Sequence, residues 1–174
     1  MGDIYTEYMV VKKPTVADNM KKIGIAIGSI FVCAVLFVVS GYTGILRPFV
    51  LMAGLGALYG GWYLMNNQNI EFEVIVTNGG MDVDKIIARR DRKRLISLNC
   101  ANIEEFAKYN PNSSKAETCT TVIKACDSEQ SENVYYCIFR HASKGKTMVV
   151  FNANEKVLAT MKPYVPRNVW GIVE

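Results

Sequence analysis

Six basic residues between positions 85 and 94 are the side chains of this sequence best suited to bind an anionic ligand. They are Lys85, Arg89, Arg90, Arg92, Lys93 and Arg94. The strand patterns before and after the run predict a turn at residues 89–94, which places these side chains at the surface. A basic residue close to an anionic bilayer gains about 1 kcal/mol. The run therefore predicts contact with anionic lipid headgroups or, alternatively, a solvated turn without a ligand.

A nucleic-acid partner is not expected for the same run. The 174-residue chain has a formal net charge of only +4. No aromatic residues are interleaved with the arginines, and no nucleic-acid-binding motif surrounds them.

A zinc site can be assembled from the sequence only with widely separated ligands. His141 is the single histidine, and Cys137 precedes it by four residues on the same predicted strand face. Cys119 or Cys126 would have to complete the set, whereas structural zinc sites usually contain closely spaced ligand pairs. We therefore expect these cysteines to be small core residues and predict no metal or cofactor.

Catalytic motifs are absent from the sequence. It contains neither a GxSxG nucleophile motif nor a phosphate-binding glycine loop. Asp82 and Asp84 share a predicted strand face, but two carboxylates beside a turn indicate a solvated face or partners for the nearby arginines. We predict that the protein is not an enzyme.

The five cysteines indicate a reducing compartment. They are Cys33, Cys100, Cys119, Cys126 and Cys137. An odd number at loose spacings, without a CxxC pair, does not suit a disulfide framework.

Two apolar segments near the N-terminus are each long enough to cross a bilayer. Residues 23–39 carry no charge, and residues 45–65 are interrupted only by Arg47 and Pro48. A bilayer core needs about 20 apolar residues. A signal peptide would not be followed at once by a second span, and a soluble hairpin this apolar would need a larger surrounding core than the remaining chain offers. A transmembrane helical hairpin at residues 23–65 is therefore predicted.

Small residues follow both predicted helices and permit close helix contact. They are Gly24, Gly28, Gly54, Gly56, Gly60 and Gly61. We favour packing within the hairpin over an oligomer interface.

Basic residues predict the orientation in the membrane. Lys12, Lys13, Lys21 and Lys22 precede the first span, whereas the connecting turn contains only Arg47. The positive-inside rule then places residues 1–22 in the cytoplasm. Two spans return residues 66–174 to the same side of the plasma membrane. Because the first strand of that domain starts close to the bilayer, the basic turn after its second strand should return to the inner leaflet.

The N-terminal segment, residues 3–11, is unusually apolar for a disordered tail. It can dock on the C-terminal domain as an extra strand or serve as a peptide for a partner protein. We favour docking.

Alternating apolar residues and turn signals predict a mostly antiparallel β domain over residues 66–174. The predicted elements are strands at 70–77, 81–84, 95–99, 117–125, 134–141 and 146–151, a helix at 102–109, and a C-terminal helix that starts near Asn152 and ends before Pro166. Together with the hairpin, this order predicts an α+β protein whose domain is a PH-like roll or barrel closed by a C-terminal helix. The helix between the third and fourth strands departs from the usual PH-like order.

Several stretches of the chain resemble a known bacterial family. They are Asp3-Ile4-Tyr5, Phe72-Glu73, Asn78, Met81 to Ile87, Arg92-Lys93-Arg94, Asn154 to Leu158, Met161-Lys162 and Pro166-Arg167. In these stretches the sequence is similar to domain of unknown function 6106, a family of PH-like domains attached to two membrane helices. The resemblance covers nearly the whole chain. It implies the fold, but its motifs are structural and bring no catalytic residue.

The sequence thus predicts a non-enzymatic, membrane-anchored PH-like module. Its expected ligand is a protein partner or anionic lipid headgroups at the inner leaflet. The alternative is an accessory subunit of a larger membrane complex that it contacts through the glycine-lined helices.

Overall fold

The computed structural model describes residues 5–170, which divide into two compact units. Residues 14–69 form a helical unit. The described residues on either side of it, 5–13 and 70–170, form a β-rich unit.

The helical unit is a hairpin of α1 (Val16–Ser40) and α2 (Arg47–Asn66). A capping box begins α1, because the Asp18 N–H donates to Thr15 Oγ1 at 3.3 Å and the Thr15 N–H donates to the Asp18 carboxylate at 3.2 Å. Pro48 lies in the first turn of α2, as predicted. The segments Val16–Ser40 and Gly44–Asn66 are long and apolar enough to cross a membrane.

Sheet A of the β-rich unit is antiparallel, with strands in chain order. Its strands are β1 (Tyr5–Val11), β2 (Ile70–Thr77), β3 (Gly80–Ile87) and β4 (Asp91–Asn99). The predicted docking of the N-terminal segment is confirmed, since β1 pairs with β2 from Tyr5 opposite Thr77 to Val11 opposite Glu71. Asp3 and Ile4 of that predicted segment lie outside the described residues.

Sheet B contains the later strands in the order β5-β7-β8-β6. These are β5 (Ile103–Lys108), β6 (Thr121–Ala125), β7 (Val134–His141) and β8 (Gly145–Asn152). β6 runs parallel to β8, and the other pairs are antiparallel. Two short helices, α3 (Glu155–Met161) and α4 (Arg167–Trp170), complete the unit.

Both sheets and both C-terminal helices contribute to one buried apolar cluster. Phe106 of β5 belongs to this cluster and is fully buried. Its ring stacks on Trp170 at 5.1 Å, on Tyr135 at 5.8 Å and on Phe151 at 6.3 Å between centroids. The α+β fold with a mostly antiparallel domain and a C-terminal helix is therefore confirmed.

The predicted helix at residues 102–109 is wrong. A 3-10 turn at Cys100–Asn102 leads directly into β5, which pairs with β7 and has a register shift between Ile103 and Glu105. Asn102 and Glu105 resemble a capping box locally, but pairing with β7 and burial of Phe106 outweigh the local preference.

Several predicted boundaries also differ from the structure, and the second strand, predicted at 81–84, is observed as the longer β3. The strand predicted from residue 117 begins at Thr121, after a 3-10 turn at Ser114–Thr118. The basic turn is shorter than 89–94, because β4 already begins at Asp91. α3 starts after the Asn154 cap and ends at Met161, so residues near 165 do not extend it.

Candidate anion-binding site

The six predicted anion-binding residues lie at one end of sheet A, around the turn between β3 and β4. Ala88 and Arg89 have φ angles of +53° and +57°, and the Arg90 N–H donates to the Ile87 carbonyl oxygen at 3.0 Å. Positive φ at two consecutive residues suits the right-handed twist of a hairpin but is unfavourable for side chains other than Gly, Asn or Asp.

An irregularity in β4 divides the basic residues between the two faces of the sheet. Val83 pairs with Ile96 and Asp84 with Arg94, so the extra residue Leu95 shifts the register. Lys85 then lies directly opposite Lys93. Because Lys85 also pairs with the core residue Phe72, both lysines belong to the core-side face at this end of the sheet. Arg92 and Arg94 belong to the opposite face, here called the outer face.

Each of three arginines near the outer face contacts a carboxylate. Arg89 Nε donates to Glu71 Oε1 at 2.8 Å. Arg94 bridges Asp82 and Asp84, at 3.0 Å from each. Arg92 contacts Glu73 and is 3.9 Å from Asp84. Of the two predicted roles for Asp82 and Asp84, partnership with the arginines is the one found.

These ion pairs also shift the pKa values of the guanidinium groups. The hydrogen bond to Glu71 raises the pKa of Arg89, and the hydrogen bond to Asp84 raises that of Arg94. The positive charges of Arg89 and Arg94 are thus stabilised by neighbouring carboxylates.

Lys85 and Lys93 differ from these arginines. Neither forms an ion pair with any residue between 5 and 170. Like charges directly opposite each other on neighbouring strands are destabilising. An anionic group between the two ammonium groups would remove that repulsion.

The chain joins the helical unit from this same end of sheet A. Ile70, the first residue of β2, pairs with Ile87 beside the turn. The Lys12 N–H donates to the Ile70 carbonyl oxygen at 2.9 Å. This end of sheet A therefore carries the turn at 88–90 together with Ile70 and Lys12 of the same unit.

The residues considered for zinc do not form a metal site in the structure. Cys137 and Cys126 are buried and Cys119 is half-buried, and burial raises the pKa of Cys137 and raises that of Cys126 to about 11. His141 Nδ1 lies 3.2 Å from the Ser143 N–H, in the turn after β7. Over the described part of the chain, no group of three His, Cys, Asp or Glu residues could hold a metal ion.

The six predicted packing glycines fall into two groups. Gly54 packs against Cys33 and Leu36 of α1, and a Cβ on Gly61 would lie 2.5 Å from Ser29 Cβ. The others are Gly24, Gly28, Gly56 and Gly60, where a Cβ would meet no described atom within 4 Å outside the local helix backbone. Only Gly54 and Gly61 thus serve the contact within the hairpin.

Sequence reasoning missed the burial of Glu73 on the outer face. Glu73 is 0% exposed and lies opposite Asp84, which is 1% exposed. Glu7 lies on the same face of β1 as Met9, the residue opposite Glu73, and neither carboxylate oxygen of Glu73 has a hydrogen-bond partner among the described residues. The alternation of apolar and polar residues in β2 indicated only that one side of the strand faces solvent. The docking of β1 and the position of Arg92, which do not follow from the local sequence, were needed to predict that Glu73 is buried.

Two four-stranded sheets closed by C-terminal helices, joined to a hairpin of apolar helices, define a PH-like α+β protein that could associate with a membrane. The basic end of sheet A is its candidate ligand site. The chain belongs to the bacterial PH-like domain family DUF6106, whose family model matches residues 2–171. The resemblance found in the sequence is thereby confirmed. Comparison with curated proteins gave no match, and comparison with solved structures gave none either.

Proposed function

We propose that this protein is a non-enzymatic PH-like module, anchored by two transmembrane helices, that binds anionic lipid headgroups at the inner leaflet. The primary contacts are Lys85 and Lys93. The observation that carries the proposal is their direct opposition across β3 and β4, without an ion-pair partner among the described residues.

The proposed orientation rests on charge and on cysteine chemistry. Lys12, Lys13, Lys21 and Lys22 precede the first span, which favours a cytoplasmic N-terminus. A second span returns the chain to the same side of the plasma membrane. All five cysteines are free, which suits a reducing compartment.

The lysines are better candidates for headgroup contact than the three ion-paired arginines. Arg89, Arg92 and Arg94 would have to exchange carboxylate partners for phosphate, at little net gain. Lys85 and Lys93 would gain about 1 kcal/mol each near an anionic surface. The proposal therefore narrows the predicted six-residue site to its core-side pair.

The test uses the full chain, because β1 precedes the hairpin and a fragment starting at Asn66 would lack this strand. The protein is placed in nanodiscs of phosphatidylcholine, with or without phosphatidylglycerol. Acetylation of each lysine is then timed by mass spectrometry. We expect phosphatidylglycerol to slow acetylation of Lys85 and Lys93 at least threefold, while the exposed Lys108 and Lys156 of the same sample react unchanged.

A variant pair separates direct binding from total charge. Lys85→Gln with Lys93→Gln should lose phosphatidylglycerol retained in native mass spectra. Lys108→Gln with Lys156→Gln removes the same charge elsewhere and should retain the lipid. Equal acetylation in both nanodiscs, or equal lipid retention by the two variants, contradicts the proposal.

A second candidate function is that of an accessory subunit in a membrane complex. It is favoured by Gly24, Gly28, Gly56 and Gly60, whose space is not filled by the opposite helix of the hairpin. Pairs of small residues four positions apart allow another helix to approach closely. The partner would be a transmembrane helix of another protein or of a second copy.

Native electrophoresis of solubilised membranes tests this second function. Gly56→Leu with Gly60→Leu should convert a larger assembly into the monomer, because the leucines occupy the proposed contact. Leu55→Phe enlarges an exposed side chain that lies about 100° around α2 from Gly56 and should leave the assembly intact. A wild-type protein that migrates only as a monomer contradicts the candidate.

A further inference from the structure

The Glu73 cluster, defined as Glu7, Glu73, Asp84 and Arg92, lies where β1 joins the outer face of sheet A. Glu73 is fully buried although it is on the face turned away from the core. Its neighbours across the sheet are Met9 on β1 and Asp84 on β3. A buried carboxylate needs a positive charge, hydrogen bonds or a proton.

Carboxylates exceed guanidinium groups around Glu73. The charged and titratable groups that face this region are Tyr5 and Glu7 on β1, Glu71 on β2, Asp82 and Asp84 on β3, Arg92 and Arg94 on β4, and Arg89 in the turn. Arg89 bonds to Glu71, and Arg94 bonds to both aspartates. Arg92 is therefore the remaining cation for Glu73. It contacts Glu73 and also lies 3.9 Å from Asp84.

Glu7 accepts a hydrogen bond from the Tyr5 hydroxyl at 2.5 Å. Both carboxylate oxygens of the buried Glu73 lack a hydrogen-bond partner among the described residues. Neighbouring carboxyl groups can bond to each other only when one of them carries a proton, since two carboxylates have no donor between them. Glu7 is exposed and already accepts the hydrogen bond from Tyr5, whereas Glu73 is buried. A proton on the buried Glu73 would supply the missing donor, with Glu7 as its acceptor.

We propose that Glu73 and Glu7 form a proton-dependent latch for strand β1, which is closed while Glu73 is protonated and loosened when that proton is lost. β1 is an edge strand and continues through Lys12 and Lys13 into the helical unit. Loosening β1 would free the backbone edge of β2. The latch thus makes the attachment of this strand responsive to pH.

The direction of the pH dependence follows from the charges. Burial and the hydrogen bond with Glu7 raise the pKa of Glu73 to about 7, against the opposing effect of Arg92. Hydrogen bonds from Glu73 and Tyr5 lower the pKa of Glu7. When β1 leaves, Glu73 loses both the burial and the Glu7 bond, so its pKa falls. The docked state is then favoured at low pH and loses this advantage as pH rises through about 7.

Two further contacts retain β1 while the latch opens. The hydroxyl groups of Thr6 and Thr160 are 2.7 Å apart, and Lys13 Nζ is 2.8 Å from Asp127. Neither contact involves the Glu73 cluster. Loss of the proton should therefore increase fluctuation of β1 rather than detach the whole segment.

Hydrogen exchange of the full chain in nanodiscs tests the latch. Exchange of residues 5–11 is measured between pH 5 and pH 9 and corrected for the exchange rates of the unstructured peptide. If undocking lowers the pKa of Glu73 by one unit, the opening constant of β1 rises about tenfold over this range. Glu73→Gln supplies a neutral donor at every pH and should make the opening constant independent of pH.

Two variants make the result decisive. Glu71→Gln changes a neighbouring carboxylate on the same strand that is bound to Arg89, and it should keep the pH dependence. Glu7→Gln places an amide donor on the same face as Glu73, one residue pair along the sheet, and should reduce the dependence even if Glu73→Gln does not fold. Wild-type exchange that is independent of pH, or a dependence that survives both Glu73→Gln and Glu7→Gln, overturns the proposal.

Discussion

Asp127, in the loop after β6, forms an ion pair with Lys13 at the end of the N-terminal segment. Its replacement should lower the free energy of unfolding of the β-rich unit. Its carboxylate accepts hydrogen bonds from Asn152 Nδ2 at 2.7 Å and from Ser131 Oγ at 2.8 Å. Lys13 Nζ lies at 2.8 Å. Burial alone would raise the pKa of Asp127, but the bonds from Lys13, Asn152 and Ser131 outweigh it and lower the pKa to about 2.

The lowered pKa gives the magnitude of the effect. The ordinary value for this side chain is 3.8, so the shift is nearly two units and corresponds to about 2 kcal/mol. A lowered pKa stabilises the folded protein above pH 3.8, and this contribution disappears as pH falls through about 2. Asp127→Ala should therefore cost about 2 kcal/mol at neutral pH, and more if Asn152 is left without a partner.

Urea unfolding of the full chain in detergent measures this cost. A Trp62→Phe background leaves Trp170, which stacks on Phe106, to report on the β-rich unit. The free energy of unfolding of the parent should fall between pH 4 and pH 2 more steeply than that of Asp127→Ala. Glu132→Ala, an exposed carboxylate in the same loop, provides the control. Equal stability of parent and Asp127→Ala at pH 7, or parallel pH profiles, would refute the reasoning.

Two further predictions concern the turn and the core of the β-rich unit. Ala88→Gly should stabilise the unit by about 1 kcal/mol in the same unfolding assay, because Ala88 has a φ of +53°. The control Ala107→Gly in β5 should instead destabilise the unit. A loss of stability in Ala88→Gly would contradict the inference that the backbone at Ala88 is strained. Phe106→Ala should cost about 3–5 kcal/mol, since the ring is fully buried against three aromatic neighbours. The control Val122→Ala, on the exposed side of β6, should cost less than 1 kcal/mol. A similar loss of stability in Phe106→Ala and Val122→Ala would contradict the placement of Phe106 in the core.

Local patterns were sufficient for much of the fold. The apolar segments predicted both helices of the hairpin because length and hydropathy are properties of the segments themselves. Alternation predicted β2 and β7 with their observed bounds, and it predicted most of β8. The apolar N-terminal segment indicated that it would dock as a strand, which β1 confirms.

Nonlocal pairing determined the remaining elements. Residues 102–109 contain a local helix signal, yet β7 offers them backbone hydrogen bonds and the core buries Phe106. The parallel pairing of β6 with β8 likewise joins strands that are not consecutive in sequence. No pattern within either strand specifies which neighbour it pairs with or in which direction.

The candidate site shows the same division between local sequence and tertiary structure. Sequence alone determined that six basic residues lie close together between positions 85 and 94. The extra residue Leu95 determined that Lys85 faces Lys93 while Arg94 faces Asp84, because a one-residue shift moves side chains to the other face. The burial of Glu73 required β1 to arrive from more than 60 residues earlier in the chain. The sequence therefore determines which charged residues are present. Their ion pairs and protonation states depend on distances that only the folded chain determines.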